Sequence, residues 1–249
     1  MIVYPNAKIN LGLNILNQRD DGYHNIQSIF YPVFNYKDIL EINYSKEFRF
    51  INTGIPIPGE VNLCELAWRL LKDRFNIENV IIHLHKIIPI GAGLGGGSSD
   101  ASFTLKALNC LFDLNLSNQE LKDYAVILGA DCPFFIENSP RMVTGIGDVM
   151  NDVSIDLSRY RIKLFYSNIH VSTKEAYQNL IFNESNSSLE DVLRLPVSEW
   201  KKCLRNDFED VMFSRFPRLK ETKRRVYENG AIYASMTGTG SAIYGVFER

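Results

Sequence analysis

Five glycines fall within the seven residues from Gly91 to Gly97, and this run constrains the fold more than any other feature of the sequence. Val80–His85 before it has the apolar pattern of a strand, and Ser99–Leu111 after it has the apolar spacing of a helix. Glycines permit positive φ, and their missing side chains let phosphate oxygens approach the N–H groups at a helix N-terminus. The run therefore predicts a phosphate-binding loop between a strand and a helix.

The glycine run differs from three common phosphate-binding motifs. Gly91 and Gly96 have the separation of a Walker A loop, but Gly97 stands where that loop requires lysine. Gly91, Gly93 and Gly96 formally fit G-x-G-x-x-G. The Rossmann motif, however, also needs a strand ending in an acid about 20 residues later, and Leu116–Leu128 is predicted to be helical. The H-R-D and D-F-G motifs of protein kinases are absent from the sequence.

Two further patches, Lys8 with Asn10 and the acid Asp131, would complete a phosphoryl-transfer site. Apolar and polar residues alternate from Ala7 to Leu16, which predicts a half-buried strand with Lys8 and Asn10 on one face. Asp131 follows an apolar, helix-like run. Taken alone, Lys8 fits a solvated surface lysine better, and Asp131 fits a turn or cap residue. Their meaning depends on whether the two side chains meet, which spacing does not show.

The near-neutral charge excludes several classes of partner. The chain has 27 Lys and Arg against 29 Asp and Glu, and this net charge of −2 argues against binding nucleic acid or membrane surfaces through bulk positive charge. No segment is apolar enough for a predicted membrane span, and no secretory signal is visible. The four cysteines lack the spacing of metal ligands. We therefore expect a cytoplasmic protein with reduced thiols. Separately from these observations, we expect a monomer or weak homodimer.

The order of predicted elements favours an α+β fold, because strands and helices mix without strict alternation. Asn62–Phe75 has the spacing of an amphipathic helix, and Ser117 opens another helix in a capping box with the glutamate three residues later. A side chain among residues 98–100 is expected to cap the helix after the glycine run. After Phe135 the pattern of predicted strands and helices changes, and we predict two domains, 1–150 and 151–249.

Three segments resemble, in order, the three signature motifs of the GHMP kinases, a family of small-molecule kinases. They are Pro5–Leu11, Pro89–Ser102 and Met236–Ala242. Asp21–His24 and Gly129–Phe135 make the chain similar to those members that phosphorylate a cytidine diphosphate ester of methylerythritol, in the non-mevalonate route to isoprenoids. The resemblance covers nearly the whole chain.

The resemblance implies an N-terminal domain of the ribosomal-protein-like type, a ferredoxin-like C-terminal domain, and ATP with Mg²⁺ as co-substrate and metal. It implies that the glycine run wraps the ATP phosphates, with Ser99 also a candidate Mg²⁺ ligand. The residues that it assigns to ATP are Asn62, Leu63, Lys86, Pro89, Gly91, Gly93, Gly95, Gly96, Gly97, Ser98 and Ser99.

The resemblance also assigns residues to the second substrate. Aromatic rings would sandwich the cytosine while a histidine reads its edge, polar side chains would surround the methylerythritol hydroxyl, and a glycine of the third motif would close on the substrate. These residues are Tyr23, His24 and Tyr177 for the base, Lys8, Asn10, Asp131 and Thr173 for the hydroxyl, and Gly238 for the loop. The implied mechanism has Asp131 accept the hydroxyl proton while Lys8 keeps Asp131 ionised and offsets charge on the transferred group.

The third motif departs from the usual family pattern in two respects. It has Thr237 and Ser241 where serine and a small residue such as proline, alanine or cysteine are common, a change that keeps the loop small. Family members usually continue with another helix and strand, whereas this chain ends at Glu248–Arg249.

Three other functions compete with this hypothesis. A GHMP kinase for another alcohol, such as homoserine or mevalonate, would have no use for the predicted base pocket. A non-catalytic nucleotide-binding regulator would not need the predicted catalytic lysine and acid. An RNA-binding module on a ribosomal-protein-like fold conflicts with the net charge of −2.

Overall fold

The computed structural model describes residues 1–59, 61–167, 169, 171, 173–178, 180 and 188–249 of the chain. Within these residues the strands are β1 (Ile2–Val3), β2 (Asn6–Gln18), β3 (His24–Lys37), β4 (Ile39–Tyr44), β5 (Arg49–Gly54), β6 (Val80–Lys86), β7 (Arg141–Thr144), β8 (Val149–Asp152), β9 (Tyr160–Phe165), β10 (Tyr233–Met236) and β11 (Ile243–Glu248). The helices are α1 (Leu63–Phe75), α2 (Gly96–Leu111), α3 (Asn118–Leu128), α4 (Cys132–Glu137), α5 (Thr173–Gln178), α6 (Leu189–Arg194), α7 (Trp200–Cys203), α8 (Phe208–Arg215) and α9 (Pro217–Glu228), with a 3₁₀ turn at Val197–Glu199.

The chain divides into two compact units, each discontinuous in sequence. The first unit consists of Met1–Lys8, Pro32–Ile90 and Gly95–Ser139, and the second of Ile9–Tyr31, Gly91–Leu94 and Pro140–Arg249. The division passes through β2 after Lys8 and through the glycine run after Leu94. Both units combine strands and helices, which confirms the α+β class. A domain boundary at residue 150 stays a prediction.

In the first unit, helices pack on a four-stranded sheet of order β1-β4-β6-β5, in which β5 is parallel to β6 and the other pairs are antiparallel. Alternate residues of β6 are buried, as its apolar pattern predicts. The core contains side chains from β4, β6, α1 and α2, and includes Leu40, Ile42, Val80, Ile82, Leu84, Ala67, Leu71, Leu105 and Leu108. The same alternation buries Lys86, the last residue of β6.

The helices of the first unit begin largely where the sequence indicates. Asn62 caps α1 by accepting the N–H of Cys64 at 2.8 Å. Ser117 and Glu120 form the predicted capping box of α3.

The start of α2 differs from the prediction, because the helix already begins at Gly96 and no side chain among residues 98–100 caps it. Its N-cap is Gly95, which has a left-handed φ of 67°. A Cβ at Gly95 would lie 3.0 Å from both Lys8 Cγ and Phe135 Cζ. The turn therefore requires glycine for its conformation and for its packing, and no capping side chain fits.

The prediction that β2 is half-buried was wrong, because residues 6–15 are buried on both faces. The polar face carries Lys8, Asn10 and Asn14, all buried. Burial of Lys8 and Asn10 is compensated by an ion pair and by hydrogen bonds with other protein groups. Sequence alternation identified the strand correctly, but it could not show that the polar face has partners.

The second unit contains the sheet β10-β11-β9, whose pairs are antiparallel, and β3 pairs with β7 in a further sheet of order β2-β3-β7-β8. Helices α8 and α9 contribute Phe208, Met212, Leu219 and Val226 to the core of this unit. The third motif forms the loop between β10 and β11, closed by a hydrogen bond from the N–H of Thr237 to the carbonyl of Ala242 at 3.0 Å. Within the residues described above, none of the helices has the length and apolar character to cross a membrane.

Candidate active site

The glycine run connects β6 to α2, as predicted, and ends on the N-terminus of the helix. Gly91, Gly93 and Gly95 have φ of 65°, 76° and 67°, values that side chains disfavour. A Cβ at Gly96 would lie 2.9 Å from Lys86 Nζ, so the backbone at the helix start packs directly on a lysine side chain. This geometry suits an anion at the helix N-terminus, and the binding of ATP phosphates by the run stays a prediction.

Lys8 and Asp131, two residues that spacing alone could not connect, meet in the first unit. Lys8 Nζ lies 3.6 Å from Asp131 Oδ2, with the lysine side chain 5% exposed and the aspartate side chain 34% exposed. Burial lowers the pKa of Lys8 from its ordinary value, and the carboxylate of Asp131 opposes that shift. Asp131 directly precedes α4 but makes no capping hydrogen bond with its side chain. The arrangement is a buried cation beside a carboxylate that solvent reaches.

The serines that follow the glycine run have different environments. The hydroxyl of Ser99 is buried and has no hydrogen-bond partner among the described residues. Ser98 contacts the thiol of Cys132, whose pKa is raised to about 11 mainly by burial. Because a buried hydroxyl without a partner is costly, an added phosphate oxygen or Mg²⁺ would satisfy Ser99. The assignments of Ser98 and Ser99 stay predictions. In the described part of the chain, no group of three or more His, Cys, Asp or Glu could hold a metal ion.

Lys86 is the centre of a buried charged cluster, which we define as Lys86, Asp38 and Asp100. Lys86 Nζ lies 2.5 Å from Asp38 Oδ2 and 2.7 Å from Asp100 Oδ2. Asp38 Oδ1 also accepts the N–H groups of Ile87 and Ile88, at 2.5 and 2.8 Å. Asp100 Oδ1 has no hydrogen-bond partner among the described residues. The cluster therefore ties the end of β6 to the first turns of α2, at both ends of the glycine run.

Burial and the neighbouring charges shift the pKa values of Lys86 and Asp100 within this cluster. Burial raises the pKa of Asp100 well above its ordinary value, with Lys86 opposing the shift and Asp38 adding to it. For Lys86, burial lowers the pKa, but the two carboxylates outweigh it and the net shift is upward. The ammonium group of Lys86 is thus paired with two acids. Its contact with ATP stays a prediction. The sequence suggested Asp100 only as a helix cap and gave Asp38 no role, although the burial of Lys86 by strand alternation calls for counter-charges.

The predicted base-binding residues lie in the second unit, where two of them make contact. The rings of His24 and Tyr177 are stacked, with centroids 5.1 Å apart and planes at 29°. Tyr23 is 61% exposed, and its N–H is bonded to Asp21 Oδ1 at 3.0 Å. Thr173 is the first residue of α5, and its side chain lies outside the described residues. Phe208, which the sequence analysis missed, meets Tyr177 edge-on at 4.9 Å and 84°.

A buried neutral cluster, defined as Asn10, Ser28 and Thr237, joins the three motifs. The N–H of Asn10 donates to Thr237 Oγ1 at 3.0 Å, and Asn10 Nδ2 donates to Ser28 Oγ at 2.8 Å. Thr237 Oγ1 also lies 3.1 Å from Asn10 Oδ1 and 3.0 Å from the carbonyl oxygen of Gly93. The threonine hydroxyl thus connects the first, second and third motifs. A contact of Asn10 with the reacting hydroxyl stays a prediction.

Gly238 follows this threonine in the third-motif loop and packs on the glycine run. A Cβ at Gly238 would lie 3.1 Å from Gly93 Cα, so the two backbones approach as closely as glycines allow. The carbonyl of Gly238 accepts a hydrogen bond from Asn206 Nδ2 at 2.9 Å. The sequence did not indicate Asn206, because its role depends on a contact with a loop about thirty residues away in the chain.

Comparison with known proteins agrees with these motifs. The chain matches the family models of the GHMP kinases N terminal domain over residues 62–138 and of GHMP kinases C terminal over residues 188–249. It is 49% identical over 252 residues to the 4-diphosphocytidyl-2-C-methyl-D-erythritol kinase of Azobacteroides pseudotrichonymphae genomovar. CFP2, with 100% of this chain and 94% of that protein covered.

Solved structures show the same fold. A crystal structure of 4-(cytidine 5'-diphospho)-2C-methyl-D-erythritol kinase has a TM-score of 0.86 at 31% identity, covering 99% of this chain and 90% of that one. Homoserine kinase from Cytophaga hutchinsonii ATCC 33406 has a TM-score of 0.66 at 17% identity, covering 98% and 85% of the two chains, and shows the fold alone. The matches confirm the two-domain α+β fold that the motif resemblance implied.

Proposed function

The chain belongs to the GHMP kinase family, and on that premise we propose that it transfers the γ-phosphoryl group of ATP to the 2-hydroxyl of 4-diphosphocytidyl-2-C-methyl-D-erythritol. The observation that carries the proposal is the pair Lys8–Asp131, a buried ammonium 3.6 Å from a partly exposed carboxylate. Lys8 also packs beside Gly95, at the start of the helix that follows the glycine run. The substrate is supported by the full-length relative at 49% identity and by the stacked rings of His24 and Tyr177.

Phosphoryl transfer depends mostly on positioning and on stabilising charge, and the pair suits both tasks. The carboxylate of Asp131 is accessible enough to accept a hydrogen bond, and then the proton, from the substrate hydroxyl. The ammonium of Lys8 stabilises the negative charge that develops on the transferred group. Because Lys8 is buried, its charge is screened less by water than that of a surface lysine.

Mg²⁺ is part of the proposal, and the Ser99 hydroxyl is the group that would hold it or the phosphate oxygen beside it. In kinase sites Mg²⁺ keeps several waters and is bound through substrate phosphates and one or two carboxylates, so the protein needs to supply few ligands. When bound, it would neutralise phosphate charge, while the residues of the glycine run orient the phosphates through their N–H groups.

The test is a phosphorylation assay that compares the cytidylylated substrate with mevalonate and homoserine. Wild-type protein is expected to phosphorylate the first and neither of the others. Asp131→Asn should lower kcat at least about 100-fold, the usual size of a general-base effect. Asp123→Asn on the exposed face of α3 is the matched control and should leave kcat unchanged. Near-normal turnover by D131N, or preference for mevalonate or homoserine, would contradict the assignment.

We further propose that the protein works in the cytoplasm as a monomer or weak homodimer, with ATP and this small molecule as its only substrates. The free cysteines, among them the buried Cys64 and Cys132, fit a reducing compartment. Sedimentation at micromolar concentration, with and without substrate, tests the oligomeric state.

A further inference from the structure

The segment Asn206–Glu209 consists of the last two residues before α8 and the first two residues of α8. Together with the preceding Arg205, it is anchored to β2 by its backbone and by one side chain. The N–H of Leu13 donates to the carbonyl of Arg205 at 2.8 Å, and the N–H of Asp207 donates to the carbonyl of Leu13 at 2.9 Å. Asp207 Oδ2 accepts the N–H of Ile15 at 2.7 Å. The segment is therefore a fixed platform within the second unit.

Two side chains of the segment hold the start of the third-motif loop. Asn206 Nδ2 donates to the carbonyls of Met236 and Gly238, both at 2.9 Å, and its Oδ1 accepts the N–H of Phe208 at 3.0 Å. Glu209 Oε1 accepts the N–H of Met236 at 2.8 Å, while its Oε2 is paired with Lys223 Nζ at 2.6 Å. Both side chains are buried. The backbone on either side of Thr237 is thus held by groups from one short segment.

A third side chain of the same segment supports the aromatic pair. Phe208 is fully buried and its ring makes a T-shaped contact with the ring of Tyr177, which in turn stacks on His24. Edge-to-face contact fixes the relative planes of two rings, because the positive edge of one ring meets the negative face of the other. The plane of Tyr177 is consequently held by contact with a ring that solvent does not reach.

We infer that Asn206–Glu209 is the positioning segment of the substrate site, with Phe208 orienting the base-binding ring Tyr177 and Asn206 orienting the loop that carries Gly238. The inference rests on the proposed function, since it assigns Tyr177 to the cytosine of the substrate. Phe208 and Asn206 act through other residues and touch no substrate atom themselves. Substitutions of the two residues are therefore expected to have different kinetic effects. Changing Phe208 should affect recognition of the base, and changing Asn206 should affect turnover.

Phe208→Leu tests the first half of the inference. It keeps an apolar side chain in the core but removes the ring, so KM for the cytidylylated substrate should rise about threefold to tenfold, which is within the range of one aromatic contact. KM for ATP and kcat should stay within twofold. Phe213→Leu, the same substitution further along α8, is the matched control and should leave both KM values unchanged.

Asn206→Asp tests the second half, because it is isosteric and removes both donated hydrogen bonds. We expect kcat to fall about tenfold or more, as misplacement of site groups predicts, with KM for the base-containing substrate nearly unchanged. The control is Asn229→Asp at the exposed end of α9. If N206D does not fold, the Phe208→Leu result decides the inference by itself.

Binding of cytidine diphosphate, measured calorimetrically without catalysis, separates failure of this inference from failure of the proposed function. If wild-type protein does not bind it, the proposed substrate is wrong. If wild-type protein binds it and F208L binds it equally well, the substrate stands and the inference is overturned. A rise in both KM values together with a loss of thermal stability would also overturn it, because that combination indicates a purely structural role.

Discussion

The charged cluster and the neutral cluster both fix a glycine-containing loop, but they do so with different chemistry. Lys86, Asp38 and Asp100 hold the glycine run at its two ends through a buried ammonium and two carboxyl groups. Asn10 and Thr237 hold the third-motif loop through uncharged amide and hydroxyl groups. The first arrangement depends on the protonation of its members, whereas the second does not.

The difference follows from where each cluster lies. Lys86 ends a strand whose alternate residues face an apolar core, so its charge has to be matched inside the protein. The neutral cluster lies on the polar face of β2, where hydrogen bonds alone satisfy the buried groups. Removing the cation Lys86 should therefore be more destructive than removing a member of the neutral cluster, and only changes to the charged cluster should have effects that depend on pH.

Lys86→Met should have the largest effect, because it leaves two buried acids without their cation. We expect the free energy of unfolding at pH 7 to fall by about 3–5 kcal/mol, the usual penalty for breaking a buried ion pair. Lys220→Met on the exposed face of α9 should change it by less than about 0.5 kcal/mol. Urea unfolding measures both, and a loss below about 1 kcal/mol in K86M would remove the distinction between the clusters.

Thr237→Val should have a smaller effect, because it removes one neutral hydroxyl and keeps the shape of the side chain. The expected loss is about 1–3 kcal/mol, the cost of leaving buried partners unsatisfied. Thr237→Ser keeps the hydroxyl and should recover most of the stability and activity. Wild-type stability in T237V together with a loss in T237S would show that the methyl group, and not the hydrogen bonds of the cluster, holds the loop.

Much of this architecture can be predicted from the sequence. The features that the sequence did not predict have one physical cause in common, because they depend on tertiary contacts. Strand alternation located β2 and β6, and the glycine spacing located the loop before α2. Alternation gave the face on which Lys8 lies but not its burial, because burial depends on what covers that face. The motif resemblance assigned His24 and Tyr177 to one pocket but did not predict that their rings stack on each other. Phe208 and Asn206 act through contacts between segments far apart in sequence.

Asp100 is a second case in which the local sequence did not predict the environment of a side chain. Its position in the sequence suggested a helix cap, which was wrong, because the helix starts earlier and turns this side chain toward Lys86. A cap residue would be exposed and ionised, whereas a second acid beside one buried lysine retains its proton more readily. The protonation of a residue therefore depends on tertiary partners that local sequence does not contain.

Asp100→Asn gives the smallest effect near pH 4 and distinguishes the clusters by pH. The folded pKa of Asp100 is raised, so above the unfolded pKa of about 3.9 the native state binds more protons than the unfolded state. Wild-type stability therefore loses a contribution as pH rises toward the folded pKa, at up to about 1.4 kcal/mol per pH unit. Asparagine mimics the neutral acid and lacks this loss, so D100N should match wild type near pH 4 and gain on it as pH rises. The difference between T237V and wild type should stay constant over the same range. Urea unfolding from pH 4 to 7 measures both differences. If the D100N difference does not grow with pH, Asp100 is ionised in the folded protein. The two clusters would then not differ in how their stability depends on pH.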